Sequence, residues 1–186
     1  MAAHLGTEIP TVQKPITKYA GEVGWDIVTR DDALLFRKGE NGTLFYRVLE
    51  EKLIELNPGL VTSESAVEII RDIEAVRNNI EGNAEILSWL RGEQSIFDQN
   101  EKRRRNVTIV DFSNVSKNIF QVTDEWQYTN GRETNRVDIM FLINGVPVAV
   151  VETKSAMKAN AIEEALTQIR KGVKSSLGSL RRRFCF

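Results

Sequence analysis

The sequence predicts an α/β domain in which helices flank both faces of a central mixed sheet. Three observations along the 186 residues predict this class. Apolar residues recur at helical spacing in the first half, strand-like runs replace them from about residue 107, and one of these runs is apolar at both parities. A run of the last kind is typical of a strand covered on both faces. Length and composition suit one domain, which we expect to span residues 1–172.

Two well-marked helices are predicted in the first half of the chain. Residues 44–56 carry an amphipathic pattern that stops at Asn57-Pro58-Gly59. The next helix has Thr62 or Ser63 as its cap, a stripe of apolar residues along one side, and Gly82 as its expected end.

Three other segments of the first half have weaker patterns. Residues 1–18 carry two prolines and little periodicity, so we expect an irregular arm. Residues 31–36 contain a short apolar run that predicts a strand. Residues 84–90 predict a short helix.

The second half predicts a meander of strands followed by a helix. The runs lie at residues 107–112, 119–128, 137–143 and 146–151. Asn144-Gly145 separates the last two, and this dipeptide between apolar runs is a strong hairpin signal. Residues 159–170 predict a helix, whereas residues 173–186 carry no period and suggest a truncated or non-native tail.

Composition excludes several kinds of chemistry. Cys185 is the single cysteine and His4 the single histidine, so a disulfide, a cysteine-based zinc site and a histidine-dependent catalytic triad are excluded. An enzyme of this composition would depend on carboxylates, lysine and a hard cation such as Mg²⁺. No apolar stretch is long enough to cross a membrane and no secretory signal begins the chain, so we expect a cytoplasmic protein. The net charge of −1 confines any phosphate binding to local patches.

Charged residues lie at the ends of the two strands of the predicted hairpin, at the same rim of the sheet. Asp138 begins the run before Asn144-Gly145, and Glu152 and Lys154 follow the run after it. A two-residue loop would pair Val137 with Glu152, whereas a longer loop or an equivalent bulge would set Asp138 across from Glu152. We expect the second arrangement.

Two acids and a lysine placed in this way are suited to phosphodiester hydrolysis. The acids can hold Mg²⁺, which lowers the pKa of a bound water, and Lys154 can stabilise developing charge. The alternative is a structural ion pair between Glu152 and Lys154, since an isolated acid-x-Lys occurs often by chance. The combination with Asp138, the hairpin and the apolar strand favours the catalytic interpretation.

The segment from Asn135 to Asp138, followed by the segment from Asn144 to Lys154, closely resembles the nuclease domain of type I restriction enzyme R subunits. Asn57-Pro58-Gly59 and the run from Arg103 to Val107 are similar too, so the resemblance covers about residues 44–168. It implies a restriction-endonuclease-like core with a PD-(D/E)xK site.

The resemblance also implies a role for each site residue. Asp138 and Glu152 would be metal ligands, the Thr153 carbonyl would assist, and Lys154 would be the catalytic lysine. Related nucleases of the RecB type add Gln-x-x-x-Tyr on the next helix; Gln168 matches the glutamine, but Gly172 stands in place of the tyrosine.

Other residues are candidates for the site or for DNA contact. The family often uses an acid from an early helix, for which Glu50, Glu51 and Glu55 are equivalent candidates. Basic residues that could grip phosphates are Arg103, Arg104, Arg105, Arg132 and Arg136, the first three before the first long strand. Arg132 and Arg136 could instead pair with Glu133, although we favour DNA. Trp126 and Tyr128 are more typical of a core than of base stacking.

The resemblance implies an endonuclease domain that hydrolyses double-stranded DNA with Mg²⁺ and reads no sequence itself. Methyltransferase and specificity subunits of a type I restriction complex would select the target. The chain lacks a complete phosphate-binding loop, so ATP would serve only motor domains outside this sequence. Two alternatives remain open: a degenerate, non-catalytic DNA-binding or assembly domain, and a stand-alone PD-(D/E)xK repair nuclease.

Overall fold

A computed structural model describes residues 12–77, 79–130, 133–153 and 166–167. The helices of this part are α1 Lys14–Glu22, α2 Arg30–Phe36, α3 Tyr46–Leu56, α4 Ser63–Ala75 and α5 Ile80–Leu90. Its strands are β1 Asp26–Ile27, β2 Ser95–Asp98, β3 Arg103–Asn106, β4 Phe120–Asn130, β5 Glu133–Ile143 and β6 Val146–Val151. No helix of this part is both long and apolar enough to cross a membrane.

The central sheet is mixed and has four strands in the order β1-β4-β5-β6. β4, β5 and β6 form an antiparallel meander, and β1 pairs in parallel with β4. On one face, Met140, Leu142 and Val146 belong to the large apolar core that the helices α2 to α5 cover. On the other face, Ile139 and Val122 pack with Ala20 of α1. The predicted α/β class, with a mixed sheet between helices, is therefore confirmed.

The two predicted long helices are present, and the better-marked one has the expected cap. The Thr62 side chain accepts a hydrogen bond from the Ser65 amide, and the Ser65 hydroxyl accepts one from the Thr62 amide. This capping box satisfies backbone donors that a helix start leaves without partners. α4 nevertheless ends at Ala75, not at Gly82.

Gly82 has a different role from the predicted one. Asn79 caps α5 by accepting a hydrogen bond from the Gly82 amide at 2.8 Å, so Gly82 lies in the first turn of α5. A Cβ at this position would lie 1.7 Å from the Arg77 carbonyl oxygen. Glycine is needed here because the chain turns tightly between α4 and α5. Gly82 was expected to end a helix, but it lies in the first turn of the next one.

The irregular arm predicted at residues 1–18 is wrong from Lys14 onward, where α1 begins. Pro15 lies in the first turn of α1. Proline is favoured there because its fixed φ suits a helix and its missing N–H has no intrahelical partner in the first turn. Residues 1–11 lie outside the described part.

The strand predicted at residues 31–36 is also wrong, because this segment is helix α2. Thr29 caps it by accepting a hydrogen bond from the Asp32 amide at 3.2 Å. Asp31 and Asp32 lie in the first turn, where negative charge interacts favourably with the helix dipole. The apolar run was too short for its period to decide between helix and strand.

Residues 107–112 do not form the predicted strand, although Val107 and Ile109 are buried. The Val107 amide donates to the Gln94 carbonyl at 2.8 Å, whereas side-chain amides bond to the backbone of Thr108 and Ile109. Asn57 accepts from the Thr108 amide at 2.7 Å and donates to its carbonyl at 2.8 Å. Asn144 donates to the Ile109 carbonyl at 2.7 Å. Such amide contacts replace the ladder bonds that an apolar run otherwise needs from a sheet.

Two predicted C-terminal features lie wholly or mostly outside the described residues. Of the helix expected at residues 159–170, the structure describes Leu166 and Thr167, which are helical and exposed. The tail at residues 173–186, with Cys185, lies outside the described part, as does His4. The domain boundary at residue 172 stays a prediction.

Candidate active site

The hairpin of β5 and β6 determines which residues meet at its open end. Ile143 pairs with Val146, so Asn144-Gly145 is a two-residue turn, with φ of 51° and 80°. The register then shifts, because Leu142 pairs with Pro147 but Phe141 pairs with Ala149. Val148 is the extra residue of a bulge. Ile139 pairs with Val151, the last residue of β6, so Asp138 and Glu152 are the residues that follow this pair at the open end of the hairpin.

Side-chain hydrogen bonds hold the turn of this hairpin in place. Asn144 is fully buried; it donates to Asn118 at 2.9 Å and accepts from the Ile119 amide at 2.7 Å. The amide of Phe45, just before α3, donates to the Gly145 carbonyl at 2.9 Å. The turn is therefore fixed against α3 and the loop before β4, which fixes the strands that lead to Asp138 and Glu152.

Asp138 is the most constrained acid at the open end. It is 5% exposed. Its Oδ2 accepts hydrogen bonds from the Thr153 amide at 2.7 Å and from the Thr153 hydroxyl at 3.0 Å. Its Oδ1 lies 4.0 Å from Nη2 of Arg136, beyond hydrogen-bonding distance. One oxygen is thus held by Thr153, and the other has no hydrogen-bond donor in the described part.

The side chain of Thr153 does not follow the alternation of an ideal strand. In such a strand Thr153 would project from the face opposite Glu152, but its hydroxyl donates to Asp138 at 3.0 Å. The reason is that β6 ends at Val151, so residues 152 and 153 no longer follow the pleat. β6 is also less covered than its sequence suggests: Ala149 is exposed, and β6 lies at an edge of the described sheet.

Glu125 is the residue of this region that sequence reasoning missed. It has a left-handed backbone with φ of 51° on β4. The ladder pairs Asp124 with Ile139 and Trp126 with Val137, so Glu125 and Asp138 face each other where pairing is interrupted. Its Oε2 accepts a hydrogen bond from Arg136 at 2.7 Å, and its Oε1 is buried with no hydrogen-bond partner in the described part.

The backbone irregularity at Glu125 changes the face that β4 presents. Val122 packs toward α1, whereas Trp126 stacks on Phe45 beside α3, although both residues have the same parity. Trp126 is 1% exposed and lies beneath the buried guanidinium of Arg37, at 3.8 Å from the ring centroid to Cζ. The core interpretation of Trp126 is confirmed. Burial lowers the pKa of Arg37 to about 10, which still leaves it charged at neutral pH.

The oxygen atoms at this end of the hairpin suit a hard cation. Asp138 provides a buried carboxylate whose Oδ1 has no donor within hydrogen-bonding distance in the described part, and Glu152 directly follows the end of β6. Mg²⁺ commonly binds through one or two carboxylates and completes its shell with water and phosphate oxygens. Among the described residues, no group of three or more acidic, histidine or cysteine side chains is close enough to hold a metal. If Asp138 and Glu152 hold a cation, water and phosphate oxygens would complete its shell.

The early-helix acids are not brought into such a group. Glu51 pairs with Arg47 at 2.8 Å, and Glu55 pairs with Lys52 at 2.8 Å, both on α3 itself. With Glu50, they stay candidates on sequence grounds. Lys154, Gln168, Gly172 and Arg132 lie outside the described residues, so their predicted roles stay predictions.

The basic run at residues 103–105 belongs to a separate two-stranded sheet and does not merely precede a strand. β3 pairs with β2 in antiparallel register. Arg105 bonds to Asp98 at 2.9 Å and lies 3.1 Å from Glu101, which also pairs with Arg103 at 2.5 Å. Arg104 donates to Ser95 instead, and no carboxylate pairs with it in the described part. Much of the positive charge of this run is therefore compensated within the hairpin.

The hydrogen bonds of the β2–β3 hairpin also shift the pKa of Asp98. The Arg105 hydrogen bond, supported by the Glu101 amide, lowers the pKa of Asp98 below its ordinary value. Arg136 pairs with Glu125 on β4, and its predicted contact with DNA stays a prediction.

The relatives found by comparison with known proteins are named as endonuclease subunits of type I restriction enzymes. The chain is 33% identical over 118 residues to the putative type I restriction enzyme MjaIXP endonuclease subunit of Methanocaldococcus jannaschii, covering 59% of this chain and 11% of that protein. It is 33% identical over 84 residues to the type I restriction enzyme EcoprrI endonuclease subunit of Escherichia coli, covering 45% of this chain and 25% of that protein.

The aligned parts are thus a tenth to a quarter of the length of these relatives. The family model described as the type I restriction enzyme R protein N terminus matches residues 7–185. The chain therefore belongs to the family of N-terminal regions of type I restriction enzyme R proteins.

Proposed function

We propose that this chain is a nuclease domain that hydrolyses phosphodiesters of double-stranded DNA with Mg²⁺ and without reading sequence. The observation that carries the proposal is the buried Asp138 carboxylate, with one oxygen hydrogen-bonded by Thr153 and with Glu152 directly after the end of the neighbouring strand β6. Membership in a family whose relatives are named endonuclease subunits supports it.

The position of Asp138 favours a functional role over a structural ion pair. A buried carboxylate is unfavourable unless hydrogen bonds or a cation compensate its charge. Thr153 compensates Oδ2, whereas the Arg136 guanidinium is 4.0 Å from Oδ1 and already bonded to Glu125. A divalent cation at Oδ1 would complete the compensation.

Each site residue has a distinct part in this mechanism. Asp138 and Glu152 would hold the cation, with the Thr153 carbonyl as a further oxygen. A bound Mg²⁺ polarises a phosphoryl oxygen and lowers the pKa of a coordinated water. Thr153 holds Asp138 in one orientation through two hydrogen bonds. Lys154 would stabilise charge developing on the phosphate, and Gln168 would help to position the substrate.

Contact with DNA phosphates would come from arginine side chains. Arg104 is the member of the hairpin run best placed for phosphate, because Arg103 and Arg105 pair with acids. Arg132 is a further candidate. In a complete R protein, we expect methyltransferase and specificity subunits to select the DNA, and ATP-driven motor domains outside this chain to deliver it.

The first test is metal binding by the 186-residue chain. Calorimetric titration with Mn²⁺ or Mg²⁺ is expected to show binding that Asp138→Asn abolishes. Asparagine has nearly the same shape and can still accept from Thr153, so the fold should persist. Asp72→Asn, an exposed acid on α4, is the matched control and should bind metal like the parent chain.

Cleavage of supercoiled DNA in the presence of Mg²⁺ is the second readout, and it should follow the same pattern. Binding of DNA that is independent of metal and unchanged by Asp138→Asn would instead support a non-catalytic DNA-binding or assembly domain. Metal binding that survives Asp138→Asn would place the metal elsewhere and contradict the proposal.

A further inference from the structure

We propose that Glu125 is a positioning residue that holds the Arg136 guanidinium away from Asp138 and so keeps Oδ1 of Asp138 open to a divalent cation. The inference rests on the proposed metal-dependent function and extends it to two residues. Glu125 and Arg136 form a pair beside the metal position, and the pair sets how easily a cation enters.

The backbone at Glu125 is the first support. The left-handed region is unfavourable for residues other than glycine and asparagine, because Cβ comes too close to the following carbonyl oxygen. Such conformations persist where the surroundings impose them, and they concentrate at functional sites. Glu125 has φ of 51° directly across from Asp138, where the β4–β5 ladder is interrupted. The unusual conformation thus occurs beside the candidate metal ligand.

The two distances from Arg136 are the second support. Its Nη1 lies 2.7 Å from Oε2 of Glu125, whereas its Nη2 lies 4.0 Å from Oδ1 of Asp138. The same guanidinium is therefore hydrogen-bonded to one acid and only near the other. Because Oε1 of Glu125 is buried without a hydrogen-bond partner in the described part, Arg136 is the main compensation for this carboxylate.

A cation at Asp138 and the Arg136 guanidinium repel each other, so the position of Arg136 affects metal affinity. Without Glu125, the remaining carboxylate within 4.0 Å of Arg136 in the described part is that of Asp138. A half-exposed, flexible arginine would then close the 4.0 Å gap and form a direct ion pair. Residues that orient metal ligands from outside the coordination shell typically change affinity by roughly 10- to 100-fold.

Metal affinity of four variants tests this inference by titration with Mn²⁺. Glu125→Gln should weaken binding roughly tenfold or more, and Arg136→Gln should bind at least as tightly as the parent chain. The Glu125→Gln/Arg136→Gln double variant has the same net charge as the parent chain, so its affinity is expected within about threefold of it. Glu101→Gln, which breaks a glutamate–arginine pair on the distant hairpin, should leave metal affinity unchanged.

The double variant separates positioning from ligation. If its affinity stays low, Glu125 binds the metal directly and the inference is overturned. Equal affinity of Glu125→Gln and the parent chain would overturn it too. Loss of binding in Asp138→Asn with no effect in Glu125→Gln would leave the proposed function standing and remove only this inference.

A second measurement needs no metal at all. Crystal structures of the metal-free parent chain and of Glu125→Gln give the distance from Arg136 to Asp138. The variant is expected to shorten the Nη2–Oδ1 distance from about 4 Å to hydrogen-bonding range, near 3 Å. An unchanged distance would contradict the inference whatever the metal affinity.

Discussion

Gly145→Ala tests how closely the turn of the β5–β6 hairpin fits against α3. Gly145 has φ of 80°, and a Cβ at this position would lie 2.6 Å from the Phe45 carbonyl oxygen and 3.1 Å from the Leu49 amide nitrogen. Both contacts are with backbone, which cannot rotate away. The left-handed conformation costs alanine about 1–2 kcal/mol, and forced displacement in a packed region adds about 1–3 kcal/mol. We therefore expect a loss of about 2–5 kcal/mol in the free energy of unfolding.

Gly59→Ala is the matched control for this change. Gly59 has φ of 74°, but a Cβ there would have no heavy atom within 4 Å. Its cost should be the conformational term alone, about 1–2 kcal/mol. Urea unfolding of the two variants and the parent chain, compared at similar m-values, measures the difference. Equal losses for Gly145→Ala and Gly59→Ala would refute the steric argument and the rigid placement of the turn.

Three further predictions concern the site and the arginine hairpin. Thr153→Val removes the hydroxyl hydrogen bond to Asp138, so it should weaken Mn²⁺ binding roughly tenfold and lower the free energy of unfolding by about 1 kcal/mol. Thr153→Ser keeps the hydroxyl and should retain both the Mn²⁺ affinity and the stability. Calorimetry measures the affinity, and urea unfolding measures the stability. The pKa of Asp98 is lowered in the folded chain, so the stabilisation from its ion pair with Arg105 is fully present above the ordinary carboxyl pKa of 3.8 and is lost as the pH falls through the lower folded value. Amide hydrogen exchange of the β2–β3 hairpin should rise in that pH range. Asp98→Asn should abolish this pH dependence. Arg104→Gln should reduce the slope of log affinity for double-stranded DNA against log salt by about 0.9, measured by fluorescence anisotropy, and an unchanged slope would exclude a phosphate contact by Arg104.

The sequence carried the class of the fold because its signals there are local and redundant. Thr62 and a long apolar stripe mark α4, and Asn144-Gly145 between apolar runs marks the hairpin. Short runs were less informative. The short run at residues 31–36 predicts a strand but forms helix α2. The run at residues 107–112 also predicts a strand, but the side chains of Asn57 and Asn144 hold it instead. A short apolar run shows that a segment is buried but does not show which partner satisfies its backbone.

For the candidate site, too, the sequence predicted one part and the tertiary structure decided the rest. The order of residues by itself indicated Asp138 and Glu152 as a pair at one rim, and it required a longer loop or a bulge to bring them together. Only the tertiary structure located that bulge at Val148 and showed that Thr153 holds Asp138. It alone placed Glu125 opposite Asp138, because the pairing of β4 with β5 sets Asp124 against Ile139 and Trp126 against Val137. The pattern of a sequence fixes the period of an ideal strand, whereas its interruptions depend on packing against distant residues.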